Sequence, residues 1–127
     1  MNFLGSNTLL LSQKTLDYLW LRETVINDNL ANVDTPGFQS RYVTFEDELK
    51  RKMENTKRIT RSSARENILK SRVGIHVNDN EITRLDGSNV NADVESADLA
   101  ISGIKYEFML EAFNSDMSRL RSVIRGQ

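Results

Sequence analysis

Two apolar stripes, one near each end of the 127-residue chain, constrain its fold more than any other feature. In the first third, Leu9, Leu16, Leu19, Ile26, Leu30 and Val33 recur at steps of 7, 3, 7, 4 and 3, the alternating spacing of one helix face. Ser12 and Glu23 fill the two missing positions, and Leu10, Trp20 and Val25 widen the face. Ser6 or Asn7 can cap the start. The helix must stop before Pro36-Gly37, because the residue preceding a proline avoids the α region. In the last third, Leu99, Gly103, Tyr106, Leu110, Phe113, Met117, Leu120 and Ile124 follow an unbroken alternation of steps of 4 and 3. A second stripe, Ala97, Ile101, Ile104 and Phe108, runs beside it. Asn91 or Asp93 suits the N-cap; Asp93, Glu95 and Asp98 favour the positive helix start, and Arg119, Arg121 and Arg125 the negative end. Gly126 marks where this helix ends.

Each predicted helix is about 27–30 residues and so about 40–45 Å long. A compact chain of this size has a radius of gyration near 14 Å, roughly a third of that length. Such rods cannot tuck into a ball; they pair with each other and leave faces for neighbours. The pattern therefore predicts an all-α fold in one domain, 1–127, with an N-terminal helix in 1–35 and a C-terminal helix in 90–127 forming a coiled-coil core. Residues 36–89 read as an irregular connecting region with room for a short strand or hairpin. Within it, Thr44-Phe45-Glu46-Asp47 looks like a capping box opening a short helix through Met53. Val73-Gly74-Ile75-His76-Val77 alternates like a strand and runs into Asn78-Asp79-Asn80, and Asp86-Gly87 marks another turn.

Charge is concentrated in the same region. Residues 50–72 carry nine basic and two acidic side chains, a net +7, while the other 104 residues carry 8 basic and 16 acidic, a net −8. Apolar content dips from Glu54 to Glu66, so 53–72 is expected to be an exposed, mobile segment. It contains no aromatic residue to stack a base, which argues against nucleic acid as its partner. Chemistry has little to work with elsewhere. There is no cysteine, which excludes disulfides, thiolate metal sites and cysteine nucleophiles, and His76 is the single histidine. Glu46-Asp47-Glu48 spreads around a helix as solvated surface, and the Asn78–Asp86 region fails the calcium-loop spacing, with Ile82 where a ligand is needed. No enzyme activity, cofactor, metal or small-molecule ligand is expected. No apolar run is long enough to span a bilayer. Residues Met1 to Leu11 lack both the basic segment and the cleavage site of a secretory signal.

The sharpest local feature is Asn29-Leu30-Ala31-Asn32-Val33-Asp34-Thr35-Pro36-Gly37-Phe38. Physically it is a helix end followed by a tight turn. Asn32 suits a C-cap or left-handed position, Pro36-Gly37 the centre of a type II turn, and Phe38 anchors the exit. The run resembles the signature of bacterial flagellar rod and hook proteins, typically A-N-N-L-A-N-x-x-T-P-G-[FY], with Asp28-Asn29 where paired Asn is common. Leu85-Asp86-Gly87-Ser88-Asn89-Val90-Asn91 and Leu120-Arg121-Ser122-Val123-Ile124-Arg125-Gly126 resemble stretches of the proximal-rod subtype, and the chain is too short for the hook or distal rod. The resemblance covers 1–50 and 85–127 and leaves the basic middle outside it.

This resemblance implies a structural subunit of the flagellar basal-body rod, with Asn29, Leu30, Ala31, Asn32, Thr35, Pro36, Gly37 and Phe38 as its family motif. Such subunits leave the cytoplasm unfolded through the flagellar type III export apparatus, without a cleaved signal, and build a helical tube across the periplasm. Partners would be other rod subunits, copies of the same chain, and basal-body ring and export-gate components. Leu16, Leu19, Ile26, Leu30, Leu99, Tyr106, Leu110, Phe113, Met117, Leu120 and Ile124 are the expected subunit-packing residues. The absence of cysteine suits an oxidising compartment. Two other readings use the same residues: a soluble helical adaptor binding through its terminal helices, and a small nucleic-acid-binding protein acting through 50–72.

Overall fold

The computed structural model describes residues 7–55, 60–79 and 84–126. The elements in order are α1 (Asn7–Ala31), β1 (Arg41–Thr44), α2 (Glu46–Glu54), α3 (Arg61–Lys70), β2 (Gly74–Val77) and α4 (Ala92–Arg125). Helix dominates, as the terminal stripes predict. α1 has 25 residues and α4 has 34, so they extend about 38 and 51 Å. They lie against each other antiparallel. At one end Arg22 pairs with Asp98 at 3.7 Å; at the other, Leu9, Leu10 and Gln13 share a groove with Phe113, Met117 and Leu120.

α4 begins and ends for reasons visible in its sequence. The Asn91 side chain accepts hydrogen bonds from Asp93 N and Val94 N, so Asn91 is the N-cap. Gly126 takes a left-handed conformation, φ +71°, and its N–H closes the last turn on Ser122 and Val123 carbonyls. α1 ends at Ala31; Asn32 N still donates to Asp28 O and Asn29 O, both at 3.2 Å, and Asn32 does not take the left-handed conformation that was one of its two expected roles, since among the described residues only glycines have positive φ. Ser6, the alternative cap at the start of α1, lies outside the described residues.

α1 buries two flanks. Ser12, Leu19 and Ile26 recur every seven residues on one; Tyr18, Val25 and Asn29 form the other. The second flank faces β1, where Tyr18 and Val25, with Leu19 at the border of the two flanks, join Val43 and Phe45 in the core. The Tyr18 and Phe45 rings lie 5.6 Å apart in a tilted pair. The first flank turns toward α4, whose buried side chains are Ser102 and Leu120. The seam is narrow and not wholly apolar: Glu23 Oε1 and Ser102 Oγ are buried without a hydrogen-bond partner. Each such atom costs about 1–3 kcal/mol, so the pairing of the long helices is modest for its length.

The described residues of the middle, 36–55, 60–79 and 84–89, carry two strands and two helices, more regular structure than the irregular region with a short strand or hairpin expected for 36–89. β1 and β2 pair antiparallel, Arg41 opposite Val77 and Thr44 opposite Gly74, and clasp the segment between them. The expected strand at 73–77 is β2; its partner lies more than thirty residues upstream, not in a local hairpin. The basic stretch is not a loop. α2 covers its start and α3 its end, with 56–59 outside the described residues. Thr60 and Ser63 form a reciprocal capping box at the start of α3, and Ile68 is buried. Lys14 Nζ donates to the carbonyls of Leu69 and Ser71 at 2.9 and 2.7 Å, and Asn7 Nδ2 donates to Arg61 O at 3.0 Å, fastening α3 to α1. Lys70 sits beside Glu66 one turn away and holds that carboxyl below its ordinary pKa by hydrogen bonding and charge.

The capping box expected at Thr44–Asp47 is absent. Thr44 closes β1, and its hydroxyl lies 2.9 Å from His76 Nε2 across the strand pair. α2 starts one residue past Phe45, whose carbonyl accepts from Leu49 N at 2.9 Å. Phe45, only 2% exposed, is thereby fixed between β1 and α2. Phe45→Ala should destabilise the chain by about 3–5 kcal/mol, the usual cost of emptying a buried aromatic site. Urea unfolding followed by circular dichroism measures it; a loss below about 1 kcal/mol would mean that Phe45 is not the core residue described.

Candidate assembly site

No group of three or more His, Asp or Glu side chains able to hold a metal exists among the described residues. What the fold builds instead is a polar knot and a set of exposed apolar faces.

The knot forms where the chain leaves α1 and where it enters α4. Thr35 to Phe38 is a type II turn: Phe38 N donates to Thr35 O at 3.2 Å, and Gly37 has φ +73°. Arg84 to Gly87 is a second turn, with Gly87 N donating to Arg84 O at 2.8 Å and Gly87 at φ +82°. The two turns dock. Gly37 N donates to Asp86 O at 2.8 Å, and a Cβ on Gly87 would stand 3.2 Å from Gly37 Cα. The Arg84 guanidinium donates to Val33 O and to Ser88 Oγ. Ser88 is fully buried beneath it.

Two asparagines stitch the knot to β1. Asn29 is fully buried on α1; its Oδ1 accepts from Arg41 N at 2.9 Å and its Nδ2 donates to Arg41 O at 2.8 Å. The amide thus satisfies both backbone groups of one strand residue, which no other side chain of that size does. Asn89 accepts from Ser40 N at 2.6 Å and donates to Asn78 O at 2.6 Å. Arg41 reaches back to Asp28 and lies over the Phe38 ring, 5.7 Å from its centre. The motif at 29–38 therefore does structural work: it turns the chain from α1 into β1 and receives the segment that leads into α4. Asn32 holds the turn internally, donating from its side chain to Asp28 O and accepting from Thr35 Oγ1. The sequence pattern picks out Asn29 but not its burial, gives Ser88 and Asn89 only as part of a resemblance, and does not single out Arg84. A hydrogen-bond donor and acceptor placed opposite a strand some fifty residues away leaves no periodic trace.

The expected packing residues divide. Leu19, Ile26 and Leu120 are buried within the chain, and Leu16, Leu30, Leu99, Tyr106, Phe113 and Met117 are half-buried. Leu110 is only just exposed, whereas Ile124 is 71% exposed. The second stripe of α4 points away from α1: Ile101 is exposed, and Ile104 and Phe108 are each 70% exposed. Trp20 stands out from α1 at 60%. A chain this small does not leave that much apolar side chain in water without a use for it.

No family model matches the chain. A flagellar basal body rod protein FlgB from Proteus mirabilis (strain HI4320) is 30% identical over 131 residues, covering 94% of each chain. The chain belongs to the FlgB family of flagellar basal body rod proteins. FlgB of Bacillus subtilis (strain 168) is 26% identical over 97% of each chain, and FlgB of Salmonella typhimurium 27% identical over 90% of each. Coverage of 97% takes in the basic middle that the sequence resemblance had left out. As a FlgB protein the chain is a structural rod subunit of the flagellar basal body, a component of the motility apparatus.

The knot makes a graded prediction. Gly37→Ala meets open space and suffers only the left-handed backbone, about 1–2 kcal/mol. Gly87→Ala suffers the same strain and also presses on Gly37, so it should cost more. Asn29→Asp should cost about 2–3 kcal/mol, because a carboxylate oxygen would face Arg41 O. Thermal unfolding of the three variants gives the order; Gly37→Ala as the most damaging of them would contradict the docking of the turns.

Proposed function

We propose that this FlgB chain is a subunit of the proximal rod that joins the export gate and ring to the rest of the rod. In this reading the chain is a single rod-subunit domain. α1 and α4 pair as a coiled coil in the inner part of a helical tube, and their outward apolar faces are covered by neighbouring subunits and by further copies of the chain. The subunit leaves the cytoplasm unfolded through the type III export apparatus, without a cleaved signal peptide, and folds where the rod grows in the periplasm. The observation that carries the reading is the pairing of near full-length similarity to FlgB proteins with two long helices whose apolar side chains exceed what the chain buries. No described helix is long and apolar enough to cross a membrane.

Two substitutions separate folding from assembly. Phe113 lines the groove between α1 and α4. Phe113→Ala should destabilise the free chain by about 2–3 kcal/mol, less than a fully buried site would lose. Ile124 is exposed in the free chain, so Ile124→Ser should shift its stability by no more than about 0.5 kcal/mol. Both should nevertheless abolish incorporation into basal bodies and swimming, while secretion of the subunit continues. The assay is motility, basal-body yield and secreted subunit in a strain lacking its own copy. Normal swimming of the Ile124→Ser strain would remove that residue from the packing surface, and normal swimming of both would overturn the assembly reading.

A further inference from the structure

The basic segment is a folded arm, and its charge needs a destination. α2 and α3 present Lys50, Arg51, Arg61 and Lys70 at the surface, and Arg72 follows at the end of α3. Lys14 and Asn7 fasten α3 to the N-terminal end of α1, so the cations move with the body of the molecule. Among its described residues the arm also carries one large apolar side chain in the open, Leu69 at 51% exposure, next to Ile68, which is buried.

The complementary surface lies on α4. Helical spacing puts Ile104, Phe108, Glu107 and Glu111 on the side away from α1, with Ile104 and Phe108 exposed and both carboxylates at the surface. This face lies midway along a helix of 34 residues, and the arm is held on α1 through Asn7 and Lys14, with Arg65 at the groove between α1 and α4. α3 is fastened to α1, whereas this face is on the side of α4 away from α1. One molecule therefore cannot close the contact on itself; the two patches match in charge and in apolar content but lie on different sides of the molecule.

We propose that the α2–α3 arm of one copy docks on the outer face of α4 of a second copy, its cations on Glu107 and Glu111 and Leu69 over Ile104 and Phe108. The proposal rests on the reading of this chain as a self-associating rod subunit. The occupant is a second copy because the chain supplies both halves: residues 50–72 carry +7 and the remainder −8. The contact is heterologous, arm to face, so it leaves a free arm at one side of any pair and a free face at the other. Such contacts propagate as open helices when the rotation does not close.

The chain has no cysteine, so a designed pair reads the contact without background. A chain carrying both Leu69→Cys and Phe108→Cys is expressed in a strain lacking its own copy, and isolated basal bodies are oxidised and separated without reductant. Disulfide-linked dimers and higher multiples of the subunit are expected, and neither single variant should give the higher multiples. Basal bodies that contain the double variant without multimers overturn the proposal, as does a cross-link to a protein of another mass. Charge exchange decides independently should the cysteines block incorporation. Arg51→Glu with Arg61→Glu, or Glu107→Lys with Glu111→Lys, should each cut incorporation about tenfold or more, because like charges then face across the contact. All four changes in one chain should restore it. Incorporation unaffected by either pair, or not restored by all four, overturns the proposal. Absence of the unaltered chain from basal bodies is a different failure: it removes the rod reading itself and is seen before any substitution is made.

Discussion

α1 is the element on which the rest depends. Its 25 residues bury two adjacent flanks, and each flank organises a different part of the chain. Tyr18, Val25 and Asn29 hold β1 and, through Phe45, the start of α2. Ser12, Leu19 and Ile26 turn toward α4. Lys14, on the remaining inner edge, fastens α3. Burying the flanks removes apolar surface from water, the dominant favourable term in folding. The polar contacts fix which backbone meets which: Asn29 can satisfy both groups of Arg41 in one register only. The apolar contacts supply attraction and the asparagines supply uniqueness.

The seam between α1 and α4 is built for partial stability. Two buried oxygens, on Glu23 and Ser102, go unsatisfied, and Ser12 and Ser102 stand where larger apolar residues would bury more surface. A helix pair of this length with so narrow a seam leaves its outer faces apolar and exposed. Both properties suit the proposed rod subunit, which would finish its core against neighbours. A well-filled seam with a fully polar exterior would give a stable monomer with nothing to assemble.

Much of this was legible in the sequence because it is local or periodic. The unbroken alternation from Leu99 to Ile124 located α4, and Asn91 and Gly126 marked its ends. Pro36-Gly37 specified the type II turn, since one fixes φ near −65° and the other accepts positive φ. α3 was missed because only Ile68 is buried along its three turns and its capping box closes with Ser63 in place of Glu or Gln. The pairing of β1 with β2 was missed because strands of four residues separated by two helices carry no registration signal. The docked turns were missed for a similar reason: Gly37 against Gly87 is a contact between backbones, and composition does not record it. Thr44 misled because a hydroxyl ahead of an acidic pair fits a helix cap as well as it fits a bond to His76.

The antiparallel pairing of α1 with α4 is the central claim, and a distance between spin labels tests it most directly. With no native cysteine, labels can be placed at Gln13→Cys and Asn114→Cys, or at Thr24→Cys and Asn114→Cys, all on exposed positions of the two helices. Antiparallel packing with Gln13 beside Phe113 predicts that the first pair lies near the interaxial spacing plus label length, about 10–20 Å. Moving the α1 label eleven residues should add about 16 Å of axial offset to the second pair. A shorter distance for Thr24 with Asn114 than for Gln13 with Asn114 would reverse the helix direction and contradict the structure on which the rest is built.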